Sequence, residues 1–125
     1  NLLARRKHRE RGEYGGNDEY GMNPTKSEKA YWTDLAEYIG CIACLIDGHP
    51  NFEVSIHHCD GRTKPGCHRK VLPLCGPHHQ TGGEDSPSIH PWTRRFEAKY
   101  GTQAELMDMC NKILVDEGLV TLNPK

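Results

Sequence analysis

Residues 55–80 read SIHHCDGRTKPGCHRKVLPLCGPHHQ. Two histidine pairs, His57-His58 and His78-His79, bracket an apolar run that carries cysteines. Val54 and Ile56, then Val71, Leu72 and Leu74, have the spacing of two short strands. Asp60-Gly61 and Pro65-Gly66 between them are turn signals. The run from Leu74 to His79 predicts a strand passing into a short helix whose first turn carries His78 and His79. Two strands and a helix with histidines on strand one and on the helix make a small metal site.

Upstream and downstream pairs extend this reading. Cys41-x-x-Cys44 and Cys75-x-x-His78 are two knuckles, and two knuckles can close a tetrahedral zinc site, since thiolate and imidazole are the ligands zinc prefers. The alternative is a pair of reduced, buried cysteines with Cys75 unrelated to them. Cys59 and Cys67 lack a partner at knuckle spacing and are left out of the site. Successive strand residues point to opposite faces, so His57 and His58 cannot both meet one ion. In a helix, His79 turns about 100° from His78, so that His78 faces zinc while His79 meets His57. Asp60 is a candidate third ligand or an orienting group for His58, or simply the first residue of an Asp-Gly turn. His90 is a candidate third ligand or phosphate contact, or a surface histidine.

These residues resemble the HNH nucleases, whose ββα-metal fold holds one divalent ion between a hairpin and a helix. More closely, SIHHCDGRTKPGCHRKVLPLCGPHHQ resembles the phage recombination-enhancement (Ref-type, RecA-dependent) nucleases. The upstream Cys41-Ile42-Ala43-Cys44 and the downstream run from Tyr100 to Leu106 belong to the same resemblance, which covers about residues 41 to 107. The resemblance implies His57 as a ligand and His58 as the general base. The central Asn of the HNH pattern is absent, and His68, Arg69 and Lys70 occupy that neighbourhood. The expected catalytic set is therefore His58, Asp60 and His68. The catalytic ion, Mg2+, Mn2+ or another transition metal, is expected at His57, His79 and His90, and a structural Zn2+ at Cys41, Cys44, Cys75 and His78. A RecA filament is the implied activator, and the cytoplasm of a bacterial host, in a phage or prophage setting, the implied location.

The bulk properties agree with a stapled domain. The chain has 125 residues, six cysteines and eight histidines. Its mean hydropathy of −0.77 predicts a thin core, and thin cores are commonly held by metals or disulfides. The charged start predicts no secretory leader, and no apolar run reaches membrane-spanning length. Paired cysteines then read as metal ligands rather than disulfides. The formal net charge is −1, so DNA binding has to rest on local clusters. Arg62, Lys64, Arg69 and Lys70 form a basic loop between the strands, and Arg94, Arg95 and Lys99 add charge on a following helix. Such residues hold DNA by its backbone. The alternative for the helix is a solvated face.

The expected fold is α+β: a small zinc-stabilised ββα-metal domain over residues 25–125 with flanking helices, after a basic flexible arm over 1–24. That arm has the alternative of a solvated terminus without a role. Thr25-x-x-Glu28 and Thr102-x-x-Glu105 are capping boxes. The first opens a helix over about 26–39 with Tyr31, Leu35, Tyr38 and Ile39 inward. The second opens a helix with Leu106, Met109, Cys110, Ile113 and Leu114 inward, ending at Gly118. A turn and loop are expected over 41–53, a flexible connection over 81–91, and a short helix from Thr93 to Tyr100. Leu119 to Leu122 is read as a short strand or extended tail.

The expected function is metal-dependent DNA endonuclease action of HNH type, with little sequence preference. A zinc-finger-like DNA-binding module without chemistry is the alternative, since it needs only the zinc set and makes no use of His57, His58 or His79. An RNA-directed nuclease is the third reading, and the sequence offers no evident aromatic platform for it. DNA and a RecA filament are the expected partners, with no membrane and a monomeric or weakly oligomeric chain.

Overall fold

The computed structural model describes residues 23–83, 86–119 and 121. Apart from Asn23 and Pro24, the expected basic arm lies outside them, as does half of the expected tail strand.

Helix α1 (Lys26–Tyr38) starts where the sequence predicts. Thr25 Oγ1 accepts from the Glu28 backbone N–H at 3.1 Å, and Glu28 Oε1 accepts from the Thr25 N–H at 2.9 Å. The reciprocal pair satisfies two N–H groups that a helix start leaves open. Tyr31, Leu35 and Ile39 are buried, and Tyr38 packs at the edge of the core. The chain then reverses at Gly40, whose φ is +72°. A Cβ there would lie 2.5 Å from the Asn51 carbonyl oxygen, so both conformation and space call for glycine.

The turn expected after Gly40 is a helix. α2 (Ile42–Asp47) is capped by Cys41, whose sulfur accepts from the Cys44 N–H at 3.4 Å, and it ends at Gly48 with φ +95°. This corrects the reading of 41–53 as turn and loop. The segment CIACLID is apolar almost throughout, so it carries no periodicity, and its helix is short enough to be set by the cap and the glycine alone.

β1 (Val54–His58) and β2 (Val71–Cys75) pair antiparallel, with Val54 opposite Cys75, His57 opposite Leu72 and His58 opposite Val71. β2 is buried along its whole length. α1, α2, the last helix and the following helical turn all pack on it. Pro73 is tolerated within it because each strand of a two-stranded sheet is an edge. The long excursion between the strands carries a short 3-10 helix, Cys67–Arg69, with Cys67 and His68 buried.

A one-turn, widened helix (Pro77–Thr81) follows β2. The connection after it corrects the expectation of flexibility for its described second half. Ser88 and Ile89 are buried, and the N–H groups of Ile89 and His90 donate to the carbonyls of His78 and His79 at 2.8 and 3.1 Å. Those two bonds lay His90 against the histidine-bearing turn. α3 (Thr93–Tyr100) and α4 (Gln103–Asp116) complete the described chain, with the second capping box formed at Thr102 and Glu105. α4 buries Leu106, Cys110, Asn111 and Leu114. Asn111 Oδ1 accepts from the Tyr31 hydroxyl at 2.7 Å, which ties α4 to α1. Met109, expected inward, is 40% exposed. The inward stripe follows i, i+4, i+8 from Leu106, and Met109 falls off its edge.

Candidate metal centres and the histidine cleft

The two histidines on the helical turn face opposite ways. His78 is buried with Cys41, Cys44 and Cys75, while His79 is half-buried with His57 and His90. Within each group the ligand atoms all lie within 4.8 Å of one another.

In the first group, His78 Nδ1 lies 3.4 Å from Cys41 Sγ, 3.5 Å from Cys44 Sγ and 3.2 Å from Cys75 Sγ. Cys44 and Cys75 sulfurs are 3.7 Å apart. Tetrahedral zinc with its usual bond lengths separates donors by about 3.5–3.8 Å, so the set fits that ion. Burial, reinforced by the neighbouring thiols, pushes the Cys44 thiol up. Such crowding is relieved by a cation that takes the thiolates together.

Behind His78 stands a buried relay that the sequence did not suggest. The Tyr100 hydroxyl is 2.9 Å from His78 Nε2 and donates to Asp47 Oδ2 at 2.7 Å. With the proton on Nε2, the lone pair sits on Nδ1, facing the sulfurs. An outer partner of this kind fixes tautomer and ring orientation. Tyr100→Phe is expected to weaken zinc affinity about tenfold with the fold retained. The effect is limited because Asp47 Oδ2 is itself only 3.6 Å from His78 Nε2. Competition with a chromophoric chelator measures it, and unchanged zinc release would remove Tyr100 from this role.

In the second group the ring centroids are 5.2 Å apart for His57 and His79, 5.0 Å for His57 and His90, and 5.6 Å for His79 and His90. His57 and His79 are each oriented by a neighbour. Gln103 Oε1 lies 3.0 Å from His57 Nε2, and Gln103 Nε2 donates to Glu97 Oε2 at 3.3 Å, which fixes the amide. Ser55 Oγ lies 2.9 Å from His79 Nδ1. Ser55 shares a face of β1 with His57, so strand periodicity alone could have found it. Gln103 lies in the downstream run that shares the family resemblance, but no local pattern gives its role, since it reaches His57 from 46 residues away. Burial, then the nearby histidines, lowers the His57 pKa to about 4 against the opposing bond from Gln103. The ring is neutral near pH 7, as a ligand must be.

His58 points to the other face of β1, as alternation predicts. Its Nε2 lies 3.0 Å from His68 Nδ1, and its ring meets Trp32 edge-on at 5.3 Å. The Trp32 indole N–H donates to the His68 carbonyl at 2.7 Å. Trp32, which the sequence analysis did not single out, is thus a further member of the site. Burial and then Arg62 lower the His58 pKa to about 4, so this ring too is neutral. Its second nitrogen, Nδ1, is buried with no hydrogen-bond partner among the described residues.

A cleft of about 420 Å³ opens on the histidine group, lined among others by His57, His58, Arg62, His79, His90 and Gln103. Arg62 is the basic-loop residue that reaches it. Lys64 and Lys70 pair with the Asp60 carboxylate at 3.3 and 3.7 Å, and Arg69 Nε meets Glu28 Oε2 at 3.2 Å. Asp60 therefore sits in its turn between two lysines and joins neither ligand group. Arg94 and Arg95 lie beyond His90 on α3, with the Arg95 guanidinium 5.1 Å from the centre of the Trp92 ring.

Among the described residues no helix is long and apolar enough to cross a membrane. A family model described as recombination enhancement, RecA-dependent nuclease matches residues 24–115. That span runs from the cap of α1 to the last turn of α4 and takes in both ligand groups. A nuclease acts on phosphodiester bonds, and a role in recombination makes DNA the substrate. On this match the chain belongs to the recombination-enhancement, RecA-dependent nuclease family.

Proposed function

We propose that the chain is a metal-dependent DNA endonuclease of HNH type with little sequence preference, activated by a RecA filament. The observation that carries this reading is the His57, His79 and His90 triad opening on a cleft that also holds Arg62 and His58. A zinc-finger-like module has no use for such a group. The hairpin followed by a histidine-bearing helical turn supports the ββα-metal assignment, although the helix is reduced to one turn.

In this reading Cys41, Cys44, Cys75 and His78 hold the structural zinc, and His57, His79 and His90 hold the catalytic ion. A divalent cation there supplies positive charge to the phosphate and the leaving 3′ oxygen. Neutral imidazoles suit transition metals better than magnesium, whose preferred ligands are oxygens, and three of them would leave further positions open. Arg62 holds the phosphate in the cleft. His58 takes the proton from the attacking water, with Nε2 anchored on His68 and Nδ1 as the accepting atom. That nitrogen is screened in the free protein, so its use requires the ring to turn against Trp32 as DNA enters. Catalytic contacts commonly tighten only in the substrate complex. His68 acts through His58. Lys64, Arg69 and Lys70 shape the loop through their ion pairs and add field rather than direct phosphate contacts.

Cleavage of a plasmid and of a D-loop, with and without RecA and across a series of divalent metals, tests the reading. Zinc-loaded protein is expected to cut only when a second divalent ion is supplied, and more strongly with RecA. His57→Ala is expected to bind DNA and fail to cut. Cutting by His57→Ala at the wild-type rate would place the reaction centre elsewhere. Binding without cleavage by the wild type in every metal would favour the zinc-finger-like module.

A further inference from the structure

Two residues beyond His90, the chain presents a large aromatic to solvent. Trp92 is 42% exposed, although an indole is among the side chains that gain most from burial. The Arg95 guanidinium lies 5.1 Å from its ring centroid. Pro91, Trp92, Thr93, Arg94 and Arg95 line a shallow pocket of about 450 Å³. Thr93 lines this pocket and also the histidine cleft, so the two depressions share a wall.

We infer that Trp92 is a stacking platform for one unpaired DNA base beside the cleft, with Arg94 and Arg95 on the flanking phosphates. The inference rests on the nuclease reading for the position of the scissile phosphate. The platform itself rests on Trp92 and its arginines. An indole with a guanidinium on one face offers the other face to a flat ring, and the cation strengthens the stack. Base-paired DNA hides its base faces, so the matching ligand is a nucleotide out of the duplex. A purely apolar protein partner fits less well, because two arginines flank the indole and a strand of nucleotides brings phosphates to them. The consequence for the enzyme is a preference for cutting where one strand is unpaired, even though no base edge is read.

The test is a fluorescence titration of zinc-loaded protein without added divalent ion. Its ligands are a thymidine 12-mer single strand, the same strand with abasic sites, and a duplex of equal length. The base-bearing strand is expected to quench indole emission and to bind about tenfold more tightly than the abasic strand. Trp92→Leu is expected to bind both strands equally weakly, with duplex affinity and melting temperature unchanged, while Trp92→Phe keeps most of the preference. Equal binding of base-bearing and abasic strands by the wild type would overturn the inference. Wild-type affinity in Trp92→Leu would do the same. The titration needs no cleavage, so a failure of the nuclease reading would appear in His57→Ala and not here.

Discussion

His58→Ala is expected to lose at least about two orders of magnitude in DNA cleavage, the ordinary contribution of a positioned base, and to keep its zinc and its DNA affinity. Added metal is not expected to restore it. His58 lies across β1 from the triad, with Nε2 on His68 and its edge on Trp32, so its removal leaves both ligand groups intact. Its packing on Trp32 means that truncation also lowers the melting temperature modestly. His58→Gln keeps more of that packing and is expected to be as inactive as His58→Ala. His79→Ala is expected to lose cleavage by a different route. It removes one of three imidazoles from the triad, so excess metal partly restores the rate. Cleavage rate against metal concentration for the two variants separates the roles. Rescue of His58→Ala by metal alone would mean that the two roles are exchanged, and full activity in both would remove this hairpin from the chemistry.

Cys75→Ser is expected to lower the melting temperature more than any substitution of Cys59, Cys67 or Cys110. All six cysteines are free thiols in the structure, and Cys67 and Cys110 are as deeply buried as Cys75. Burial alone therefore does not rank them. Loss of packing at Cys67 or Cys110 costs on the order of 1–3 kcal/mol. A structural zinc contributes apparent free energies of about 10–16 kcal/mol, and Cys75 is bound to that site by its 3.2 Å approach to His78. The zinc set also joins α2, the end of β2 and the helical turn, three pieces too short to hold their places alone. Thermal melting of the cysteine-to-serine series, with zinc content measured on each variant, decides the ranking. Equal melting temperatures across the series would contradict it.

The parts of this site visible in the sequence are those that depend on short-range geometry. The knuckle spacing brings Cys41, Cys44, Cys75 and His78 together. Strand alternation separates His57 from His58, and the turn of a helix separates His78 from His79. Both capping boxes close as written. Side chains that meet across long sequence separations were hidden. Gln103 orients His57, Tyr100 and Asp47 back His78, and Trp32 supports His58 and His68. Each joins elements whose approach is set by the core and not by local pattern. α2 was missed because an apolar run has no period to read. Asp60 looked available as a ligand until the loop folded two lysines onto it. Trp92 carries no mark of its exposure in sequence, since an aromatic beside a proline reads equally well as core.

In the proposed function two distinct metal sites meet at the Pro77–Thr81 turn, one closed and one open to DNA. Anomalous diffraction from crystals of the zinc-loaded protein soaked in Mn2+, recorded on both sides of the zinc absorption edge, tests it most directly. A zinc peak enclosed by Cys41, Cys44, Cys75 and His78 is expected, with a separate manganese peak between His57, His79 and His90. Manganese bound away from that triad in crystals of cleavage-competent protein, or no zinc among the four knuckle ligands, would contradict it.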